Sequence, residues 1–526
     1  MIVRRKQRSA WVLAALALCV AALLLSAFDV QRGGSTSAAP VRIGAAVADD
    51  PTVPATSVHY TGPRGLKGIQ TLRARVDPAG ARIVAVTFLL DGDPLGTDTT
   101  APYTLDVDVT LLPAGRHRLR LMAVDRLGNR TFGRAARVRT RSSAAGALTA
   151  SPATGLGRVL PALARGHVTV RLAPGRYRVP HLELGTGSRL VGSGSRTIIA
   201  AATDGWSLIT VRGRGVRLAN LAIDGGMRVG RAVGVAGGSH DVRLQRLQIR
   251  GVLETGVEAW GAHSGVSVQD SAIRGSGARG AGVFDLGSDQ SRDTSVVRTR
   301  ISGFRSHGIN FAQRAYDRPA AARHALALDN QISDIDDPSA ADGTHEGGIW
   351  SGGVAAAIIS NRIRDTGWDG IQTVGSSRGV TVVGNDIART PVGIYLEHET
   401  SDSLFARNVI ADVATGINVE WRYDGAGSSG NTFEQNTILR PAEAGVFVDV
   451  EGDRNRIVAN LVAGGSGPAV VLQGASGNVV RGNRACGRAG QPVVVQQSAH
   501  HDNGRAAHSL RNRVEGNESV EACPGR

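Results

Sequence analysis

The sequence predicts an all-β protein in which a small antiparallel β-sandwich precedes a long parallel β-helix, or solenoid. Three observations support this prediction. The chain has 526 residues, of which 69 are Gly, about twice the average share, but it lacks the three-residue period of collagen. Residues 58–141 alternate apolar and polar residues between turns, and the chain beyond them repeats about every 23 residues. A hydrophobic content of 42% excludes a disordered chain.

The N-terminus has the composition of an export signal. Arg4, Arg5, Lys6 and Arg8 precede an uncharged stretch over residues 9–28, which is the order found in a secretory signal peptide or a signal anchor. The stretch is long enough to span a bilayer, and its basic flank predicts that the N-terminus stays inside. We therefore expect residues 1–28 to be cleaved or to anchor the chain, and the remainder to be extracellular or at the cell surface.

A stalk and a sandwich follow. Residues 29–57 are rich in Gly, Ser, Ala and Pro without an apolar period, which predicts a flexible stalk. Over residues 58–141, short alternating segments between turns predict a small antiparallel sandwich. We expect residues 142–154 to form a linker.

The sandwich carries a recognisable resemblance. Four segments together resemble a bacterial immunoglobulin-like domain: Val86-Thr-Phe-Leu-Leu-Asp-Gly, Ala101-Pro-Tyr-Thr, Gly115-Arg-His and Ala123-Val-Asp-Arg-Leu-Gly-Asn129. The resemblance implies a spacer or stalk module, with a binding module as the alternative.

The repeat over residues 155–520 predicts the solenoid. A Gly followed by Val or Ile recurs at Gly256, Gly282, Gly308, Gly348, Gly370, Gly393, Gly416 and Gly445. Between these glycines an Asn recurs at Asn330, Asn361, Asn385, Asn408, Asn436, Asn460 and Asn483, with spacings of 31, 24, 23, 28, 24 and 23. A coil of this length with two or three short strands is one turn of a β-helix. Because like residues stack at about 4.8 Å, we expect the Asn amides to form a hydrogen-bonded ladder and the Gly to form a tight corner.

The entry to the solenoid also resembles a known family. The segment Val168-Thr-Val-Arg-Leu-Ala-Pro-Gly-Arg-Tyr177, followed by Leu190-Val-Gly-Ser-Gly194, is similar to the first coil of right-handed parallel β-helix proteins of the pectate-lyase-like superfamily. The resemblance implies a right-handed parallel β-helix, but that architecture carries lyases, hydrolases, epimerases and adhesins. The paired aspartates and the Arg-Ile-Lys element of polygalacturonases are missing, and so is the Asp-Pro-His-Asp element of alginate epimerases. No catalytic residue is therefore transferred from either family.

The register of the repeated Gly predicts which side chains point outward. The residue after Gly points inward, and the second and fourth residues after it point outward. The expected catalytic carboxylates are Asp369, Glu397, Glu420 and Asp449. The expected substrate-binding residues are Trp350, Trp368, Gln372, Tyr395, His398, Asn418, Trp421 and Arg422.

Stacked carboxylates repel one another and need compensation. A Ca²⁺ ion held by Glu397, Glu420 and Asp449, a neighbouring Arg, or protonation of one member would each supply it. Two carboxyl groups with separated pKa values are what glycoside hydrolysis requires. Neighbouring turns give about 5 Å and alternate turns about 9.6 Å, which leaves both retaining and inverting geometry open.

We expect an exported, polysaccharide-degrading glycoside hydrolase that requires no cofactor. One alternative is a Ca²⁺-dependent polysaccharide lyase or uronate epimerase, in which Arg422 or a His acts as base or neutralises charge. The other is a non-catalytic adhesin or glycan-binding module. The expected partner is a polysaccharide or cell-surface glycan, bound by a monomer that contacts the membrane only through an N-terminal anchor.

The charge distribution narrows the class of partner. The net charge is +15, but residues 342–453 contain 16 Asp and Glu against 7 Arg, a net of −9, so the rest carries +15 − (−9) = +24. The stretch with the expected site is thus acidic and favours a neutral or cationic glycan, or an acidic glycan bridged by Ca²⁺. Without a basic stripe interleaved with aromatics, we expect no nucleic acid.

Two cysteines, Cys486 and Cys523, lie in the part expected to be exported. An oxidising compartment favours a disulfide bond between them.

Overall fold

The computed structural model describes residues 56–78, 82–109, 112–141, 147–288, 291–313, 324–337, 347–420, 427–487, 492–500, 506–521 and 523. The predicted signal segment 1–28 and almost all of the predicted stalk 29–57 lie outside these residues. Within the described ranges, no helix is both long enough and apolar enough to cross a membrane.

The N-terminal region is a β-sandwich, as predicted. One sheet has the order β1-β3-β6 and the other the order β2-β9-β7-β4-β5, with β8 beside β7. Buried side chains such as Leu72, Phe88 and Leu121 fill its core. The strands are β1 Ser57–Tyr60, β2 Gly65–Lys67, β3 Ile69–Asp77, β4 Ile83–Leu90, β5 Asp93–Asp98, β6 Thr104–Asp108, β7 Gly115–Asp125, β8 Arg130–Phe132 and β9 Ala136–Arg141.

The rest of the chain is a parallel β-solenoid of about 13 turns, which confirms the predicted fold class. Its sheet begins at β10, inside the segment 142–154 for which the sequence predicts a linker. Its first elements are β10 Leu148–Ala150, helix α1 Leu160–Arg165, β11 Thr169–Leu172, β12 Gly175–Val179, β13 Leu182–Leu184, β14 Arg189–Val191, β15 Thr197–Ala201, β16 Gly205–Val211, β17 Arg217–Val235 and β18 His240–Gly261.

The middle strands are β19 Ser264–Gln269, β20 Ala272–Ala278, β21 Ala281–Gly287, β22 Thr294–Val297, β23 Arg300–Phe304, β24 His307–Gln313, β25 His324–Leu328, β26 Gln331–Ile335, β27 Gly347–Gly352, β28 Ala355–Ile359, β29 Arg362–Thr366, β30 Asp369–Val374, β31 Thr381–Val383, β32 Asp386–Ala388, β33 Val392–Glu397, β34 Leu404–Ala406, β35 Val409–Ala411 and β36 Thr415–Glu420. The last strands are β37 Thr432–Glu434, β38 Thr437–Leu439, β39 Ala444–Val448, β40 Arg456–Val458, β41 Leu461–Ala463, β42 Val470–Gln473, β43 Val479–Arg481, β44 Arg484–Cys486, β45 Val494–Gln497, β46 Ala499–His500, β47 Ala506–Ala507, β48 Arg513–Glu515 and β49 Glu518–Val520.

Each turn contributes strands to three faces of the solenoid. We call them the front face (β13, β16, β21, β24, β27, β30, β33, β36, β39, β42, β45), the covered face (β10, β11, β14, β19, β22, β25, β28, β31, β34, β37, β40, β43, β48) and the side face (β12, β15, β20, β23, β26, β29, β32, β35, β38, β41, β44, β49). The long strands β17 and β18 run across all three. Inward Val, Ile, Leu and Phe side chains form one continuous core.

The Asn ladder is present as predicted. The backbone N–H and the Nδ2 of Asn385 both donate to Asn408 Oδ1, at 3.0 Å each. Asn408 Nδ2 in turn donates to Val382 O of the preceding turn. The same pattern links asparagines from the buried Asn330 to the partly exposed Asn517, and a second ladder runs through Asn431, Asn455, Asn478 and Asn512.

The repeated Gly has a different role from the one predicted. The residue before each ladder Asn occupies the left-handed corner, as at Ser360 (φ 55°) and Gly384 (φ 65°). The repeated Gly instead lies in a front-face strand, where a Cβ would collide with the next turn. At Gly370 it would lie 2.4 Å from Ile387 Cγ2 and 2.7 Å from Gly393 O. Close packing between turns, not backbone conformation, therefore excludes a side chain there.

The sandwich packs on the covered face through an apolar cluster and a polar rim. Ala85, Met122 and Val124 contact buried covered-face residues that include Leu328 and Ile359.

Around this cluster, Gln269 Oε1 accepts from Thr97 N at 2.9 Å and Gln269 Nε2 donates to Thr97 O at 2.7 Å. Arg171 pairs with Asp108 at 3.0 Å, Arg298 Nη1 donates to Thr97 Oγ1 at 2.9 Å, and Arg130 pairs with Asp329. The sandwich therefore contacts the covered face over several turns of the solenoid.

A disulfide bond links two segments at the C-terminal end of the solenoid. Cys486 in β44 and Cys523 beyond β49 form the expected disulfide bond.

We expect Asn408→Leu to lower the free energy of unfolding. The substitution leaves the buried Asn385 N–H and Val382 C=O without partners, which costs about 1–3 kcal/mol for each group. Urea denaturation measures the change. Asn517→Leu, at the partly exposed end of the ladder, should cost clearly less, and equal losses in the two variants would contradict the ladder's role.

We expect Val124→Asp to release the sandwich from the covered face, because it places an unpaired carboxylate in a fully buried apolar contact. Small-angle scattering should then show a larger radius of gyration. Ile69→Asp introduces the same charge at an exposed position of the opposite sheet and should leave the radius unchanged. An unchanged radius in Val124→Asp would contradict the docking.

Candidate active site

The outward side chains of the front face stand in three columns that follow the predicted register. The first column holds the residues just before the repeated Gly, among them Thr255, His307, Asp369 and Thr415, and also Arg231 at the equivalent position before Ala232. The second column is Glu258, Phe284, Asn310, Trp350, Gln372, Tyr395, Asn418 and Phe447. The third column includes Trp260, Leu286, Ala312, Gly352, Val374, Glu397 and Glu420.

The third column brings carboxylates together at its C-terminal end. Glu397 in β33 and Glu420 in β36 are direct register partners, so their backbones lie about 4.8 Å apart. Asp449 continues the column, since its N–H donates to Val419 O at 2.8 Å. Glu397 is only 8% exposed.

Amide side chains compensate these carboxylates. Gln372 Nε2 donates to Glu397 Oε2 at 2.8 Å, Asn418 Nδ2 to Glu420 Oε2 at 3.3 Å, and Gln473 Nε2 to Asp449 Oδ1 at 3.2 Å. Hydrogen bonds to ionised acceptors are stronger than neutral ones. The sequence predicts a cation, an Arg or protonation as compensation, and these amides are not among the predicted partners.

The second-column amides leave their carbonyl oxygens without a donor. Gln372 Oε1, Asn418 Oδ1 and Asn310 Oδ1 are buried and have no hydrogen-bond partner within the described ranges. The amide orientation follows from the hydrogen bonds of each NH₂ group. Three unused acceptors thus occupy one column.

Aromatic side chains share the second column with the amides. Tyr395 is fully buried between the positions of Gln372 and Asn418. The partly exposed indole of Trp350 lies flat over Gly352, where a Cβ would approach Trp350 Cη2 to 2.1 Å. The missing side chain at Gly352 therefore makes room for the ring.

His398 stands beside the carboxylate pair. Its Nε2 is 3.4 Å from Glu397 Oε1. His398 and Glu399 both have left-handed backbone conformations, with φ of 49° and 53°, and Ser376 Oγ donates to Glu399 Oε2 at 2.9 Å. Such conformations in non-Gly residues persist where the surroundings fix them, and here they turn the chain so that the imidazole faces Glu397.

Asp369 does not join the carboxylate pair, although the sequence placed it there. It lies in the first column, five residues before Val374, which is the register partner of Glu397. At about 3.3 Å per residue this is about 16 Å along the strand. Its fully buried carboxylate lies over Gly347, beside His307, and His307 packs edge-on against Trp350 at 6.3 Å. The length of the strand separates the two groups.

The remaining predicted residues fall outside the columns or outside the described residues. Trp368 precedes β30 and is partly exposed. Trp421 and Arg422 follow Glu420 directly but lie outside the described residues, so their roles stay predictions. In the described part of the chain no three His, Cys, Asp or Glu side chains form a group that could hold a metal ion. Under the calcium alternative, further oxygen ligands would have to join Glu397, Glu420 and Asp449.

Several residues on the front face escaped the sequence analysis. His307 and Asn310 occupy the first and second columns just before Trp350, and the Gly308 register, extended upstream, places both. Arg231 lies further upstream, where Ala232 follows it in place of the repeated Gly. The Gly that identifies each repeat is thus absent from that turn.

Comparisons with known proteins support the architecture. The right handed beta helix region family matches residues 286–423 and 322–485, and the bacterial Ig domain family matches residues 65–121. Among curated proteins, none matches the chain.

Solved structures with similar folds include three carbohydrate-active enzymes. A family 28 exopolygalacturonase from Yersinia enterocolitica is 12% identical, with a TM-score of 0.48 over 88% of this chain and 99% of that one. A mannuronan C-5 epimerase A-module from Azotobacter vinelandii is 16% identical, with a TM-score of 0.46 over 70% and 95%. A polygalacturonase from Erwinia carotovora is 12% identical, with a TM-score of 0.37 over 73% and 99%. At these identities and scores, none assigns an activity or a residue role to this chain.

We expect Gln372→Met to lower the free energy of unfolding by about 1.5–3 kcal/mol, the value of a hydrogen bond to a charged group. In a Glu397→Met background the same substitution should cost much less, because the partner is gone. A double-mutant cycle from urea denaturation measures this coupling. Gln331→Met, at an exposed side-face position, serves as control, and additive costs of Gln372→Met and Glu397→Met would contradict the pairing.

Proposed function

The chain carries a bacterial Ig domain and a right-handed β-helix region, and we propose that it is an exported glycoside hydrolase that cleaves a polysaccharide on the front face. The observation that carries this proposal is the pairing of Glu397 with Glu420 on adjacent strands. Adjacent strands lie about 4.8 Å apart, close to the 5–5.5 Å between carboxyl groups that retaining glycosidases use. One carboxyl group protonates the leaving oxygen while the other attacks the sugar, and a water deprotonated by the first group then hydrolyses the glycosyl-enzyme ester.

The environment of the pair supports this chemistry. Gln372 and Asn418 donate to the two carboxylates through their NH₂ groups, which fixes one oxygen of each carboxylate. His398 Nε2 lies 3.4 Å from Glu397 Oε1 and is placed to hold or pass a proton beside that carboxyl group. No cofactor is required, and calcium belongs to the lyase or epimerase alternative alone.

The second column supplies contacts that suit a sugar. The partly exposed indole of Trp350 offers an apolar face for stacking. The acidic surroundings favour a neutral or cationic glycan.

Three features support an extracellular or cell-surface location. The N-terminal segment has the composition of an export signal, the module at residues 65–121 matches a bacterial Ig domain, and Cys486 is bonded to Cys523, as an oxidising compartment allows.

We expect Glu397→Gln and Glu420→Gln each to reduce the release of reducing ends by about 10²–10⁴-fold, the contribution of a positioned acid or base. The assay uses β-glucan, xylan, galactomannan, chitosan and polygalacturonate. Activity on an aryl glycoside, whose leaving group needs little protonation, should survive in the variant that lacks the acid. Glu434→Gln, a partly exposed carboxylate on the covered face, serves as control.

The same assay separates the alternatives. Full activity in both variants would contradict the proposed pair. An unsaturated product that absorbs in the ultraviolet and disappears on chelation would favour the lyase. Binding of a glycan without product over days would favour a non-catalytic module.

A further inference from the structure

A second cluster of aromatic side chains lies on the front face, far from the carboxylate pair. The guanidinium of Arg231 lies 4.8 Å from the ring centroid of Trp206 and 4.6 Å from that of Trp260. Arg231 is 5% exposed, whereas Trp206 is 61% exposed. Trp206 does not belong to the solenoid core. A large apolar ring therefore lies against a buried cation with much of its surface in water.

Ion pairing holds the cation in this stack. Arg231 Nη1 is 2.7 Å from Glu258 Oε1. Burial raises the pKa of the Glu258 carboxyl, and the Arg231 guanidinium opposes this effect. A buried Arg is costly unless it is paired, so the pairing with Glu258 and the contacts with two indoles fix its position. Cation–π contact with two rings strengthens the arrangement.

Two glycines provide the space for the rings. A Cβ at Gly230 would lie 3.3 Å from Trp206 Cε3 and 3.6 Å from Glu254 Oε2. A Cβ at Gly234 would lie 2.8 Å from Trp260 Cζ3. The indoles thus lie across bare backbone, and the Glu254 carboxylate borders the same space as Trp206.

The cluster is continuous with the candidate active site. Trp206 lies in β16, and the strands β17, β18, β21, β24, β27, β30 and β33 follow it in order on the same face. Seven steps of about 4.8 Å place it about 34 Å from the strand of Glu397. An extended polymer that lies along the solenoid axis would meet both places.

We propose that Trp206, supported by Arg231 and Trp260, forms a second glycan-binding subsite that holds a distant part of a neutral or cationic polysaccharide. The exposed indole stacks on a sugar ring, and the Glu254 carboxylate accepts a hydrogen bond from a hydroxyl group or an amino group. The chain outside residues 342–453 is basic, but at the exposed ring Arg231 with Glu254 and Glu258 gives a net charge of −1, which favours a neutral or cationic sugar there. The subsite rests on the proposed function only for its substrate class, since binding there needs no catalysis.

Affinity electrophoresis tests the subsite in a Glu397→Gln background, with β-glucan, xylan, galactomannan, chitosan and polygalacturonate in the gel. We expect a neutral polysaccharide or chitosan to retard the protein, and Trp206→Ala to weaken binding about 2- to 12-fold, the range of an aromatic contact. Trp206→Phe keeps a flat ring and should retain most of the binding. Thermal melting checks that each variant is folded.

Phe132→Ala is the matched control. Phe132 is an exposed ring, 48% accessible, that stacks on Arg120 at 4.7 Å, but it lies on the sandwich. Its loss should leave binding unchanged. Unchanged binding in folded Trp206→Ala, equal weakening in Phe132→Ala, or retardation only by polygalacturonate would overturn the subsite.

The two proposals fail in different ways. If the chain binds a neutral glycan through Trp206 but never cleaves it, the subsite stands and the hydrolase falls. If the chain cleaves a glycan and Trp206→Ala leaves KM unchanged for both long chains and short oligosaccharides, the hydrolase stands and the subsite falls. A selective rise in KM for chains that reach about 34 Å supports both.

Discussion

The buried asparagine ladder fixes the register between turns, and the chemistry of the front face depends on that register. Each ladder amide bonds both to the backbone and to the next amide, so a slip of one residue would break several buried hydrogen bonds in every turn. Such a slip would also reverse which side chains face outward. Gly370 and its equivalents add a steric condition, because they let the turns pack against one another without a Cβ. The columns are the result of these two constraints.

Stacking places similar side chains on adjacent strands. Two acids are then close enough for catalysis, but the repulsion between their like charges is unfavourable. Glu397 and Glu420 illustrate how the solenoid meets both conditions. A neutral amide beside each acid donates to it without cancelling its charge, and the buried carbonyl of the same amide has no partner among the described residues. An Arg in that position would neutralise the acid and fill the space. At the other end of the face, Arg231 is instead enclosed by two indoles and paired with Glu258.

The sequence predicts the fold well because period and register are properties of the repeat itself. The Asn spacing predicts the ladder, and the Gly register correctly separates inward Ile394 from outward Tyr395 and Glu397. Separation along a strand is harder to predict. The sequence groups Asp369 with Glu397, although the length of a strand separates them. The repeated Gly was assigned to a corner because sequence does not distinguish a backbone requirement from a steric one. The sequence does not single out Trp206 and Arg231, because Ala232 replaces the repeated Gly that sets the register in that turn.

The two ends of the solenoid determine whether the chain can remain a single molecule. A stack of parallel strands presents an open edge at each end, and another copy could add to it indefinitely. Helix α1 buries Leu163 at the first turns. At the far end, β48 carries Arg513 and Glu515, paired at 2.9 Å, and β49 carries Glu518, while the Cys486–Cys523 bond ties down the last segment. Charged side chains on an edge strand oppose further pairing, so we expect these features to disfavour end-to-end stacking of copies.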